Sequence, residues 1–292
     1  MTPFLPGPVA LGCMSLPLQD ERLCMRIMES AIEAGIRLFD TADIYQGGRN
    51  EQVVGLFMKG RREQVELATK VGNVPRPDGS GWDWNPRKAY VMEAVERSLS
   101  RLGTDRIDLY QLHGGTVEDP MDETIDAFET LKRQGKVLRY GISSIRPNVV
   151  REYLARSSID TLMCQYGVAD RRPEESILPM IAQGGVRLLA RGVLARGMLC
   201  GKNPTLYLGH KEAEMLRGAE AILACSSPAR TPAQTAIRFV LQSHPRTTAV
   251  IGASTIAQIE EAAATLSSPP LTKVELDVIV SALPAKAYTE HR

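Results

Sequence analysis

The run Leu99-Ser-Arg-Leu-Gly-Thr-Asp-Arg-Ile-Asp-Leu-Tyr-Gln-Leu-His113 closes an amphipathic stretch of helical period, stops it at Gly103, and resumes as a short apolar run from Ile107 to Leu112. A change of hydrophobic period across one glycine marks a helix handing over to a strand. The same handover recurs along the whole chain. Strands are predicted near Val9 to Leu11, Ile36 to Phe39, Gln64 to Thr69, Ile107 to Leu112, Val137 to Ile142, Thr161 to Gln165, Val186 to Ala190 and Thr248 to Ile251. Helices are predicted near Glu21 to Ala34, Asn50 to Lys59, Pro86 to Leu102, Met121 to Gln134, Pro147 to Ala155, Pro173 to Gln183 and Thr231 to Gln242. Gly35, Gly103 and Gly135 each follow a helix, and Pro86, Pro147, Pro173 and Pro232 stand where a first helical turn tolerates a residue without an N–H. A further helix is predicted over Lys211 to Ala224, inside the long connection Asn203 to Ser227, and two more between Ile256 and Ala282.

Alternating strands and helices build βαβ units around a parallel sheet. Eight units in a row favour a closed (β/α)8 barrel, and 292 residues suit one such α/β domain over 1–292 with extra C-terminal helices. An open doubly wound sheet would more often carry a Gly-rich fingerprint after its first strand, whereas here that strand leads only to Gly12-Cys13-Met14-Ser15. No linker, repeat or low-complexity run divides the chain. The short lead before Val9 leaves open whether the amino end covers the barrel floor with a hairpin.

The 35 basic and 34 acidic side chains nearly cancel, so no strong field gathers nucleic acid or an anionic membrane surface. A small molecule is the expected partner and a monomer the expected state. Cys13, Cys24, Cys164, Cys200 and Cys225 are widely spaced and odd in number, which fits a reducing compartment. Residues 1–12 lack a signal-peptide pattern, and no apolar run approaches the ~20 residues of a membrane span, so a cytoplasmic protein is expected. His210, His244 and His291 lack metal-ligand spacing, and no metal site is expected.

In a barrel of this type, side chains at the carboxyl ends of the strands converge on one face. Four polar residues stand there: Asp40 after Ile-Arg-Leu-Phe, Tyr45 five residues on, Lys70 after Glu-Leu-Ala-Thr, and His113 after Leu-Tyr-Gln-Leu. Taken singly, Asp40 reads as a turn residue, Lys70 as a solvated strand end, His113 as a structural histidine and Tyr45 as a rim aromatic. Together, an acid, a phenol, an amine and an imidazole at the ends of three consecutive strands would share one mouth.

The runs Gly35-Ile-Arg-Leu-Phe-Asp-Thr-Ala-Asp-Ile-Tyr45, Ala68-Thr-Lys-Val-Gly72, Leu99 to His113 and Gly135-Lys-Val-Leu-Arg-Tyr-Gly-Ile-Ser143 resemble the aldo-keto reductase superfamily, in order and over nearly the whole chain. Trp82-Asp-Trp84, Gln111-Leu-His-Gly-Gly115 and Ser143-Ser-Ile-Arg-Pro-Asn148 are similar to a bacterial branch of poorly assigned reductases. The resemblance implies an NAD(P)H-dependent oxidoreductase, of the NADP-dependent alcohol dehydrogenase type, that reduces aldehydes or ketones, with Asp40, Tyr45, Lys70 and His113 as catalytic tetrad. Tyr45 would give the proton, Lys70 would draw its pKa down, Asp40 would hold Lys70, and His113 would orient the carbonyl.

The same resemblance implies a cofactor contact set. Ser143, Ser144 and Gln165 would meet the nicotinamide carboxamide, although Ser144 stands where the family usually has Asn. Arg191 stands where many members stack an aromatic ring, and a guanidinium plane can also stack. Gly192, Val193, Leu194, Arg196 and Gly197 belong to the loop that would close over the pyrophosphate, and Gly12, Cys13, Met14 and Asp40 would also contact the cofactor. Ile251, Gly252, Ala253, Ser254 and Gln258 would cradle the adenosine phosphate, with Glu261 and Ala262 on the adenine side. Gly252 and Gln258 replace a Lys and an Arg that commonly meet the 2′-phosphate, and Ala262 replaces a common Asn. NADPH is expected from the family habit, with NADH as the alternative. Met14, Tyr45, Trp82, Trp84 and His113 would line the substrate pocket. A second reading is a nicotinamide-binding, redox-sensing regulatory subunit with little turnover. A barrel lyase would need a Schiff-base lysine in another setting or a carboxylate metal cluster, and neither is found.

Overall fold

A computed structural model describes residues 6–292. The strands are β1 (Val9–Gly12), β2 (Leu38–Asp40), β3 (Glu66–Val71), β4 (Asn73–Pro75), β5 (Trp82–Trp84), β6 (Ile107–Leu112), β7 (Val137–Ser143), β8 (Thr161–Gln165), β9 (Arg187–Arg191) and β10 (Thr247–Gly252). The helices are α1 (Glu21–Glu33), α2 (Arg49–Met58), α3 (Lys88–Leu102), α4 (Met121–Arg133), α5 (Pro147–Arg156), α6 (Ile177–Gly184), α7 (Glu212–Ala224), α8 (Pro232–Ser243), α9 (Ile256–Ala263) and α10 (Lys273–Ala282). Eight parallel strands close in the order β1-β10-β9-β8-β7-β6-β3-β2, a (β/α)8 barrel, while β4 and β5 form a separate antiparallel hairpin.

Pleating with period two sorts each barrel strand into inward and outward residues. Ala10, Leu38, Ala68, Leu109, Met163, Leu189 and Val250 form one buried layer inside the barrel. Their alternates, such as Val9, Leu11, Phe39, Leu67 and Tyr110, join the larger core under the helices. Two residues beyond the inner layer, the same pleat brings up Gly12, Asp40, Lys70, Gln111, Gln165, Arg191 and Gly252, while Ser143 ends β7 opposite Met163. Register aligns them: Gly12 lies opposite Asp40 and Gly252, Lys70 opposite Gln111, and Gln165 opposite Arg191. One apolar layer therefore carries a polar layer at the carboxyl-terminal mouth.

Several boundaries differ from the sequence reading. β2 and β3 start and end later than predicted, so Asp40 and Lys70 are members of their strands rather than the residues that follow them. Arg62–Gln64, predicted in part as strand, is a 3-10 turn. Pro86 precedes α3 by two residues, Pro147 and Pro232 occupy the first turn of α5 and α8, and Pro173 the first turn of a 3-10 helix at Arg172–Glu175 ahead of α6. Thr231 with Gln234, and Thr272 with Glu275, form reciprocal caps at α8 and α10.

After α10 the chain returns across the molecule. Tyr288 is buried, its backbone N–H donates to Glu175 Oε2 at 3.1 Å, and the His291 carbonyl accepts from the Asn148 N–H at 2.9 Å. Part of the lead before Val9, residues 1–5, lies outside the described residues, and with it the question of a floor hairpin. Among the described residues no helix is long and apolar enough to cross a membrane.

Candidate active site

Lys70 has no solvent exposure at all, and burying an ammonium costs several kcal/mol unless its donors are met. All three are: Nζ donates to Asp40 Oδ2 at 2.7 Å, to the Thr41 carbonyl at 2.6 Å and to Tyr45 Oη at 3.5 Å. Burial works against the charge, but Asp40 and then Tyr45 outweigh it and raise the Lys70 pKa, so it stays an ammonium. Thr41 is itself tied down, its hydroxyl donating to Asn50 Oδ1 at 2.7 Å while Asn50 Nδ2 donates to the Cys13 carbonyl at 2.8 Å. The first turn of α2 thus anchors the backbone that holds the amine.

Tyr45 opens a 3-10 turn whose next residues, Gln46, Gly47 and Gly48, have φ of 47°, 62° and 88°. That left-handed run suits glycine, and at Gly48 a Cβ would come within 2.7 Å of Arg101 Cδ. The turn brings the Tyr45 ring edge-on to His113, centroids 6.1 Å apart, with Lys70 Nζ 5.1 Å from its centroid. The phenol pKa is raised, not lowered: burial dominates, and Lys70 pulls downward without overcoming it. The downward pull expected of Lys70 is present, and burial outweighs it.

His113 follows β6. Its backbone N–H donates to the Val71 carbonyl at 2.7 Å, and its carbonyl accepts from Asn73 Nδ2 at 3.1 Å. Burial first, then the charges of Lys70 and Arg191, push the imidazole pKa down to about 3, so the ring is neutral. Its Nδ1 is buried without a partner. Gln111 donates to Asp40 Oδ1 at 3.4 Å and fixes the second carboxylate oxygen.

These groups open into a cavity of about 630 Å³ lined by Met14, Ile44, Tyr45, Asn73, Trp82, Trp84, His113, Gly114, Gly115, Thr116, Ser143, Ser144, Ile145, Arg146, Met163 and Arg191. All five residues expected on the substrate side therefore share one wall. Met14 and Trp82 are exposed on the rim, while Trp84 is held in place by Nε1 donating to Asp119 at 2.9 Å.

The residues expected against the cofactor run from this cavity across β7 to β10. Ser143 and Ser144 are buried at the end of β7, Ser144 Oγ accepting from the Arg146 N–H at 3.2 Å. Gln165 is already engaged, its Oε1 by Arg191 Nη1 at 2.7 Å and its Nε2 by the Tyr207 hydroxyl at 3.1 Å. Gly192, Ala195, Arg196 and Gly197 all have positive φ, while Val193 is buried and Leu194 half-buried, so the loop is folded tightly with Arg196 exposed over the Tyr207 ring. Gly12 and Gly252 approach across β1 and β10, and a Cβ at Gly252 would lie 2.4 Å from Ser15 Oγ. Ile251 and Ala253 are buried, and exposed Ser254 donates its N–H to Gln258 Oε1 at 2.8 Å. Five of the expected residues, Cys13, Val193, Ile251, Ala253 and Ala262, have their side chains packed in the core. Glu261 is half-buried, and its carbonyl accepts from Gln234 Nε2 at 3.1 Å.

Sequence reading missed Ile44, Asn73, Thr116, Ile145, Met163 and Arg146 on the wall, and the β4–β5 hairpin that carries both tryptophans. The hairpin had a local cue in Arg76-Pro-Asp-Gly-Ser-Gly81 between Asn73-Val-Pro75 and Trp82-Asp-Trp84. The wall residues had none, because they meet only when the barrel closes.

The family model of the aldo/keto reductase family matches residues 8–284. The chain is 41% identical over 293 aligned residues to the uncharacterized oxidoreductase YqkF of Bacillus subtilis (strain 168), covering 97% of this chain and 95% of that protein. Among solved structures it is similar to the holo form of aldo-keto reductase AKR11C1 from Bacillus halodurans, with TM-score 0.91, 44% identity, and coverage of 100% of this chain and 97% of that one. An aldo-keto reductase from Klebsiella pneumoniae, solved in complex with NADPH, matches with TM-score 0.80 and 26% identity over 98% of this chain and 94% of that one. Barrel, mouth and relatives agree, and the chain belongs to the aldo/keto reductase family of oxidoreductases.

Proposed function

We propose that this protein reduces aldehydes or ketones to alcohols with NADPH, Tyr45 acting as proton donor. The observation that carries the reading is the buried Lys70 ammonium, bonded to Asp40 and reaching Tyr45 Oη on the wall of a cavity it shares with neutral His113. When bound, a reduced nicotinamide supplies the hydride. Tyr45 gives its proton to the carbonyl oxygen, and the phenolate left behind is stabilised by Lys70. Asp40 keeps that amine oriented. His113, neutral at every working pH, holds the carbonyl oxygen by a hydrogen bond and does not compete as the acid.

Ser143, Ser144, Gln165 and Arg191 would hold the nicotinamide, residues 192–197 the pyrophosphate, and Ile251–Gln258 with Glu261 the adenosine side. The side-chain-free approach of Gly12 to Gly252 and the tight positive-φ loop suit a dinucleotide backbone lying close to the protein. No lysine or arginine occurs from Gly252 to Ala262, so little selects for the 2′-phosphate. NADPH should lead NADH in kcat/KM by less than ~100-fold, within the ~1–3 kcal/mol that one or two weak polar contacts supply. A clear NADH preference would show the cofactor assignment wrong. Tyr45→Phe should lower kcat by at least ~100-fold while the NADPH Kd moves less than about threefold, and wild-type turnover in that variant would refute the mechanism. Nothing in the geometry or the relatives favours a regulatory subunit with little turnover.

A further inference from the structure

Among the described residues the cavity wall carries two guanidinium groups, Arg146 and Arg191, and no carboxylate. Its other polar groups are uncharged at neutral pH, His113 included. Lys70, behind Tyr45, adds positive charge that Asp40 compensates. Arg191 has an assigned contact in Gln165 and lies on the side of β8 and β9. Arg146 is different. It follows β7, immediately before α5, and its side chain makes one hydrogen bond, from Nη1 to the Gly115 carbonyl at 2.6 Å. Among the described residues it enters no ion pair, and the exposed Glu118 feels its charge without coming within ion-pair distance. Of the other half-buried arginines, Arg62, Arg101, Arg171 and Arg172 each meet a carboxylate, while Arg191 and Arg238 direct their donors to Gln165 and to Leu266 and Ser268. Arg146 meets no carboxylate, and it lines a cavity that also presents the apolar side chains of Ile44, Trp82, Trp84 and Ile145.

A half-buried guanidinium with free N–H donors is a receptor for a planar anion, because its fork matches a carboxylate in geometry and charge. We infer that Arg146 receives a carboxylate at the far end of the substrate, so that the preferred substrates are aldehydes or ketones bearing an apolar or aromatic body and an anionic end. This inference rests on the reductase reading for the reacting end and adds the recognition of the other end. Arg146 acts here as a specificity-determining residue and takes no part in the proton or hydride step.

The test pairs 4-carboxybenzaldehyde with 4-formylbenzamide, its neutral isostere, and succinic semialdehyde with butanal. In the wild type the carboxylated member of at least one pair should show kcat/KM at least ~10-fold higher, carried mostly in KM and narrowing as salt is raised. Arg146→Gln, which keeps a donor for the Gly115 carbonyl, should erase that ratio and leave the neutral aldehydes within about threefold. Arg146→Lys, which keeps the charge, should restore part of it. If both carboxylates are handled no better than their neutral partners, or if Arg146→Gln lowers both members of each pair alike, the inference fails and Arg146 is only a tie to Gly115. Calorimetric titration with 4-(hydroxymethyl)benzoate and benzyl alcohol, with and without NADP+, separates this from the reductase reading. Absence of turnover on every aldehyde would sink the latter. Selective binding of the carboxylate, lost in Arg146→Gln, would still uphold the anion site, and equal binding would overturn it.

Discussion

Asp43 lies two residues before Tyr45, and its Oδ1 is buried with no partner. Burial, then the charge of Glu51, push its carboxyl up to about 7, and Arg101 opposes this without reversing it. Glu51 has the stronger claim on Arg101, taking its Nε at 2.6 Å and the Thr69 hydroxyl at 2.6 Å. The consequence for stability has a definite sign. The unfolded chain ionises Asp43 near pH 4 and the folded chain only near pH 7, so raising the pH through that window favours unfolding, and the penalty is complete above it. Asp43→Asn removes the penalty. Its Tm at pH 8 should exceed that of the wild type by at least ~2–4 °C, the equivalent of about 1 kcal/mol, and the gap should vanish near pH 4. A gap independent of pH would mean that the carboxylate is not strained by burial. At the same scale, the raised Tyr45 pKa keeps the phenol protonated for reduction, whereas alcohol oxidation needs the phenolate. Oxidation kcat/KM should therefore rise with pH up to and beyond pH 9 while reduction does not, and parallel profiles in the two directions would argue against Tyr45 as the acid.

Among the elements, α2 matters most to the site, because its first turn supplies Asn50 and Glu51 and its far side packs on α3. The contact requires Gly55, where a Cβ would fall 2.6 Å from the Leu102 carbonyl oxygen and 2.7 Å from its Cα. Alanine gains about 1 kcal/mol of helix propensity over glycine. The obstacle is backbone, which cannot rotate away, and overpacking of this kind costs about 1–3 kcal/mol. Overpacking should win, so Gly55→Ala should lower Tm by a few degrees and loosen Lys70 through Asn50 and Thr41. A raised Tm would show that α2 and α3 slide apart freely. The β4–β5 hairpin is anchored differently, by Trp84, whose ring packs over Gly72 and Gly114 and whose Nε1 donates to Asp119.

Across the whole molecule, residues 284–292 tie the ring of helices together. Arg172 lies 5.5 Å over the Tyr288 ring, Arg292 pairs with Glu175 at 3.0 Å, and the His291 carbonyl takes an N–H at the start of α5, just beyond Arg146. Deleting 284–292 uncovers the Tyr288 site, worth about 2 kcal/mol, and should lower Tm by roughly 4–8 °C. An unchanged Tm would mean that the segment is only draped over the barrel. Much of this architecture was legible beforehand. The order of the βα units, the helix stops at Gly103 and Gly135 and the gathering of Asp40, Lys70 and His113 at one end follow from period and turn chemistry, which are local properties of the chain. The raised Tyr45 pKa, the neutral His113, the place of Arg146 on the cavity wall and the tail over Glu175 were not legible. Each depends on how completely water is excluded and on which distant segments meet, and neither is decided until β1 and β10 have closed the barrel.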